Sequence, residues 1–107
     1  MTADTLARLA LGLPGTVEVQ HFDRRAFKAR TIFASLAPDG QTANLRLDRD
    51  GQDHWCSLLP DALSPVPNKW GAQGWTVLRL DNLSEADLAI LLHLAWSLSS
   101  PPRKIGS

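Results

Sequence analysis

The sequence predicts an α+β domain, a two-layer sandwich in which helices cover one face of an antiparallel sheet. Three observations predict it: apolar residues at helical spacing near both ends, short alternating runs between turn residues from Val17 to Asp48, and another alternating run after a loop rich in proline, glycine and tryptophan. The 107 residues fit one domain, and 44% hydrophobic with 21% charged content is the balance of a chain that folds alone. The domain is expected over residues 1–102, with a frayed tail over 103–107.

Leu6, Leu9, Ala10 and Leu13 lie at i, i+3, i+4 and i+7 and predict a first helix. Gly12 is expected to stop it in the left-handed conformation, with Pro14 and Gly15 beyond. Phe27 and Ala29 then alternate with Lys28 and Arg30. Beyond Arg30 the register is open, because a two-residue turn at Arg30 and Thr31 would turn Phe33 outward, whereas a continuous strand would put Phe27, Ala29 and Phe33 on one face. A β-branched Thr31 suits a tight turn poorly, which favours a bulged or longer strand. From Thr42 to Asp48, Ala43, Leu45 and Leu47 are expected to face the core, after a hairpin turn at Pro38, Asp39, Gly40 and Gln41.

Asp50 to Leu59 reads as a short helix with Asp50 as N-cap and Trp55, Leu58 and Leu59 inward, although Gly51 weakens it. Thr76 to Asp81 alternates again, with Thr76, Leu78 and Leu80 on one face and Val77 and Arg79 on the other. The last helix carries the fullest set of signals. Ser84 is its N-cap, Leu83 and Leu88 occupy the staple positions, and Leu88, Leu91, Leu92, Ala95 and Trp96 form its apolar face, ended by Pro101 and Pro102.

No residue set has the spacing of an enzyme site, a cofactor loop or a metal centre. Cys56 is the only thiol, and His54, two residues away, points elsewhere on a helix, so a small buried hydrophobe is the expected reading. His21, His54 and His93 are scattered, and Asp48, Asp50 and Asp53 are expected to cap a helix rather than to share a proton. Gly71 and Gly74 lead into a strand, not a helix, which excludes the usual phosphate loops. A lone cysteine and the lack of any apolar run long enough for a bilayer give the expectation of a soluble cytoplasmic protein with no membrane role.

Lys+Arg and Asp+Glu are equal at 11 each, so any charge-driven function must be local. Arg24, Arg25, Lys28, Arg30, Arg46 and Arg49 all fall in the strand region, and such a stripe could contact phosphates. Trp70 and Trp75 could stack on bases, yet two tryptophans beside glycine and proline are better read as anchors that lock the Pro65 to Trp75 loop onto the domain.

The order of short motifs resembles the MmcQ/YjbR-like family of small bacterial proteins. The motifs begin with Leu11, Gly12, Leu13, Pro14 and Gly15 before His21 and Phe22, then Ala26 with Phe27, and Ile32, Phe33 and Ala34. They continue with Leu45 to Asp48, Ser64, Pro65 and Pro67, Trp70 with Gly71, Gly74 to Thr76, and Ala95 with Trp96. The resemblance implies a fold similar to secretion chaperones, in the order α-β-β-β-α-β-β-α, no catalytic residues and no cofactor. It also implies a DNA partner, by analogy of fold alone.

Two functions follow as expectations. The first is a non-enzymatic protein that binds DNA through Lys28, Arg30, Arg46, Arg49 and Lys69; the second is a module for a protein or peptide partner. DNA binding predicts the strand-region bases on one continuous face, whereas the interaction module predicts an exposed apolar groove near Trp70 and Trp75.

Overall fold

Thr2 starts the first helix by accepting the Thr5 backbone N–H on its hydroxyl, and α1 spans Ala3–Leu11. The computed structural model describes residues 2–99. After α1 come β1 (Val17–His21), β2 (Arg24–Lys28), β3 (Ile32–Leu36), β4 (Thr42–Arg46), α2 (Arg49–Leu58), β5 (Leu63–Pro65), α3 (Lys69–Ala72), β6 (Trp75–Arg79) and α4 (Glu85–Ser99). The strands form one antiparallel sheet in the order β1-β2-β3-β4-β6-β5. Four strands precede α2, where the resemblance implied three, and the short α3 interrupts the stretch between β5 and β6.

Alternation decides which face each strand residue takes. Phe27, Ala34, Leu36, Ala43, Leu45, Leu63 and Leu78 point to one side, where Leu6, Ala7 and Ala10 of α1 and Leu88, Leu91, Leu92 and Ala95 of α4 complete the core. Trp55, Cys56 and Leu59 bring α2 onto the same cluster. The expected faces of β4, β6 and α4 are all borne out. Ser84 accepts the Asp87 N–H on its hydroxyl at 3.1 Å, as an N-cap should. The end of α4 at Pro101 and Pro102 and the tail over 103–107 lie outside the described residues.

Three local expectations are corrected, and a fourth is borne out in part. Gly12 caps α1 in the right-handed region, and the left-handed glycine is Gly15, at φ 74°. Asp48, not Asp50, caps α2, accepting the Gly51 N–H at 2.6 Å; a Cβ on residue 51 would come within 2.9 Å of that carboxylate oxygen. Leu58 faces solvent, and Cys56 turns inward in its place. Between Lys28 and Ile32 the chain makes a three-residue loop, Ala29 to Thr31, so neither a two-residue turn nor a continuous strand is present, whereas the favoured bulge is. A β-bulge follows: Phe27 pairs with Ala34 while Lys28 pairs with Ile32, and the extra residue, Phe33, is buried in the core beside Ala34.

Candidate functional site

The second face of the sheet carries none of α1, α2 and α4, and two pieces of chain rise from it. One is the β1–β2 hairpin, whose loop is Phe22 and Asp23 between the paired His21 and Arg24. Phe22 has φ 57°, a conformation that costs a bulky residue about 1–3 kcal/mol. Its ring is 87% exposed, so burial does not offset that cost. It packs edge-on against His21 with ring centroids 4.8 Å apart.

The other piece is α3 and its flanks. Asn68 accepts the Trp70 N–H on its side-chain oxygen at 2.8 Å, which starts the turn. Gly71 lies so close to Val66 that a Cβ would fall 2.0 Å from the Val66 carbonyl oxygen. Beneath them the buried Gln52 amide donates to the Gly71 carbonyl at 2.9 Å, the Trp75 carbonyl at 3.1 Å and the Thr76 hydroxyl at 3.3 Å. This bracing holds Trp70 out from the surface, 49% exposed, with the Lys69 ammonium 6.0 Å from its ring centroid.

Between hairpin and α3 runs a groove of about 470 Å³. Phe22 and His21 form one wall, Val66, Trp70 and Trp75 the other, and Ile32, Ser35 and Asn44 lie along the floor. Arg24 is fixed there by its own hydrogen bonds, Nε to the Ser35 hydroxyl at 2.9 Å and Nη2 to the Ser35 carbonyl at 3.3 Å. An apolar concavity with a few placed polar groups is the usual form of a binding site. Its one hydroxyl, that of Ser35, is bonded to Arg24 and not to His21 or Asp23, which share the lining, and among the described residues no His, Cys, Asp and Glu cluster could hold a metal. Cys56 is remote from it on α2, and burial pushes its thiol pKa up, with the Asp53 charge adding to the effect, the opposite of an activated thiol.

A model of the YjbR family matches residues 11–98. The chain belongs to the YjbR family. Its fold is that of the Deinococcus radiodurans protein DR2400, a crystal structure with a DUF419 domain, at a TM-score of 0.77 and 22% identity over 91% of this chain and 77% of that one. No curated protein matches the sequence.

In this YjbR domain the expected site residues are spread over several surfaces. Lys28 and Arg46 end their strands on the groove face, Arg46 directly opposite Trp75 across the β4–β6 ladder. Arg30 is exposed in the β2–β3 loop. Arg49 begins α2 and spends its guanidinium on the Ala72 carbonyl at 3.1 Å. Lys69 stands beside Trp70. Of the other strand-region bases, Arg24 lines the groove, whereas Arg25 lies on the helix side, bonded to the Glu18 carboxylate at 2.7 and 3.0 Å. The bases therefore do not share one continuous face, and Trp70 is a groove wall rather than a buried anchor.

Sequence reasoning missed Phe22, Ile32, Ser35 and Asn44. The alternation of Val17, Val19 and His21 before Phe22 and Asp23 was a usable signal for a two-residue hairpin. No helix among the described residues is long and apolar enough to cross a membrane.

Proposed function

We propose that this YjbR protein is a non-enzymatic binding module that holds an extended polypeptide segment in the groove between Phe22 and Trp70. The observation that carries the reading is the groove itself: aromatic walls held open by a strained hairpin tip on one side and by the Gln52 bracing on the other. Aromatic and aliphatic side chains of a bound segment would fill it at alternate positions. Arg24 inside and Arg46, Lys28 and Lys69 around it favour acidic residues flanking those anchors. The free Cys56 suits the reducing cytoplasm as the place of action.

A nucleic-acid reading is supported by one feature, that the open-face strand positions carry Arg24, Lys28, Arg46 and Arg79 and no carboxylate. With Trp70 exposed and Trp75 half-buried nearby, an unpaired strand fits better than a duplex.

Fluorescence anisotropy separates the two. A labelled peptide alternating phenylalanine with serine between aspartate ends is expected to bind saturably and to weaken modestly with salt. Labelled oligothymidylate and duplex DNA serve as competitors across the same salt series. DNA that displaces the peptide with a steep salt dependence would favour the second reading. Failure of every probe to bind at low salt would remove both.

A further inference from the structure

We propose that β1 is a dimerisation edge, at which two copies of this chain pair antiparallel about a dyad at Val19 to make one continuous sheet. The sheet ends in β1 on one side and β5 on the other, and the two edges are built differently. β5 has three residues, Leu63–Pro65, and ends in a proline without an N–H, features that keep an edge from pairing. β1 has five, Val17–His21, with no proline, lysine or bulge, and all but Val19 are exposed. Among the described residues no strand pairs with its outer side, and an edge of this kind is a template for another strand.

The backbone sets which residues can pair. A two-residue loop makes His21 and Arg24 the hydrogen-bonded pair that closes the hairpin. Alternation then directs the N–H and C=O groups of Val17, Val19 and His21 toward β2, and those of Glu18 and Gln20 outward. A second strand can bond only to that outward set. Opposing Glu18 to the second copy's Gln20, and Gln20 to its Glu18, satisfies both, with the two Val19 side chains meeting as the close pair at the dyad.

Charge and apolar surface select the same register. A dyad at Glu18 would set two carboxylates side by side, and one at Gln20 would leave Val17 without a partner. With the dyad at Val19, the Glu18 carboxylate, already held by Arg25, lies beside a neutral amide. Val17, 54% exposed, then meets the second copy's His21, against which Phe22 packs, so two of the most exposed apolar side chains are covered together.

Sedimentation equilibrium of the full chain is expected to show a monomer–dimer equilibrium. In a Cys56→Ser background, Val19→Cys is expected to cross-link into a covalent dimer on mild oxidation, and Val17→Cys is not. Gln20→Lys places a cation opposite each Glu18 and is expected to lower the dimer dissociation constant by about threefold or more. Gln20→Pro removes an outward N–H while sparing the β1–β2 ladder, and is expected to be folded by circular dichroism and monomeric. The cross-link and the Gln20→Lys shift decide the matter if that variant does not fold. A chain that stays monomeric up to its solubility limit would overturn the proposal, as would a dimer that Gln20→Lys weakens or that Val19→Cys does not cross-link.

Discussion

Gly74 lies against Leu47 so closely that a Cβ there would stand 1.8 Å from the Leu47 carbonyl oxygen, and its own carbonyl accepts the Leu47 N–H at 3.0 Å. Its φ of 104° is in any case a conformation that side chains rarely adopt. The contact joins the end of β4 to the start of β6 and so sets where Trp75 enters the groove. Gly74→Ala is expected to destabilise the fold by roughly 3 kcal/mol, from strain and displaced backbone together. Urea unfolding would show it as a lower midpoint with an unchanged slope.

The buried Gln52 amide offers a second test. Gln52→Leu keeps most of the volume but removes the side-chain bonds to the Gly71 and Trp75 carbonyls and the Thr76 hydroxyl, leaving the two carbonyls only the Gly74 and Val66 backbone N–H groups. A loss of about 2 kcal/mol is expected. Because the same amide braces the Trp70 wall, the variant should also show altered tryptophan emission before unfolding.

The ion pair of Glu18 and Arg25 makes a pH prediction of small size. The Arg25 guanidinium, by its hydrogen bonds, holds the Glu18 carboxyl below the usual carboxylate range. A depressed folded pKa means that the stabilisation is present above the pKa of an unfolded-chain glutamate and is lost as pH falls through the lower folded value. The Arg25 side chain is 44% and that of Glu18 35% exposed, so screening limits the effect to about 0.5 kcal/mol. Glu18→Gln should be less stable than the parent by that amount at neutral pH and low salt, and should match it in strong acid.

Cys56 titrates in the opposite sense. Burial raises its thiol pKa, so stability is full below the pKa of an unfolded-chain thiol and declines as pH rises through the folded value. At neutral pH a thiol-specific reagent should label Cys56 more slowly in the native protein than in urea. Labelling at equal rates would contradict the burial.

The parts of the fold governed by alternation were legible in the sequence. Ala43, Leu45 and Leu47, and Thr76, Leu78 and Leu80, take the faces their spacing implies, and Ser84 caps the helix whose apolar stripe it precedes. What escaped depended on contacts between distant segments. Asp48 outcompetes Asp50 as a cap because Gly51 leaves room for its carboxylate. The bulge that Thr31 favours is present, but its place at Phe33 is set by the pairing of β2 with β3. The groove was half legible: its tryptophans were singled out, but Phe22, Ile32 and Asn44 reach it only through the pairing of β1 with β2, of β2 with β3 and of β4 with β6. A tally of basic residues likewise could not place Arg24 and Arg25 on opposite faces, although adjacent residues of a strand must be.

The indole N–H resonances test the groove most directly. Trp70 and Trp75 form its wall, whereas Trp96 donates to the Pro14 carbonyl at 2.8 Å, away from the groove, and serves as an internal reference. On titration with the phenylalanine–serine peptide, the Trp70 and Trp75 signals are expected to shift saturably while that of Trp96 stays in place, and Trp70→Ala should weaken binding about tenfold or more. Saturable binding that leaves Trp70 and Trp75 unmoved, or that Trp70→Ala does not weaken, would contradict the account.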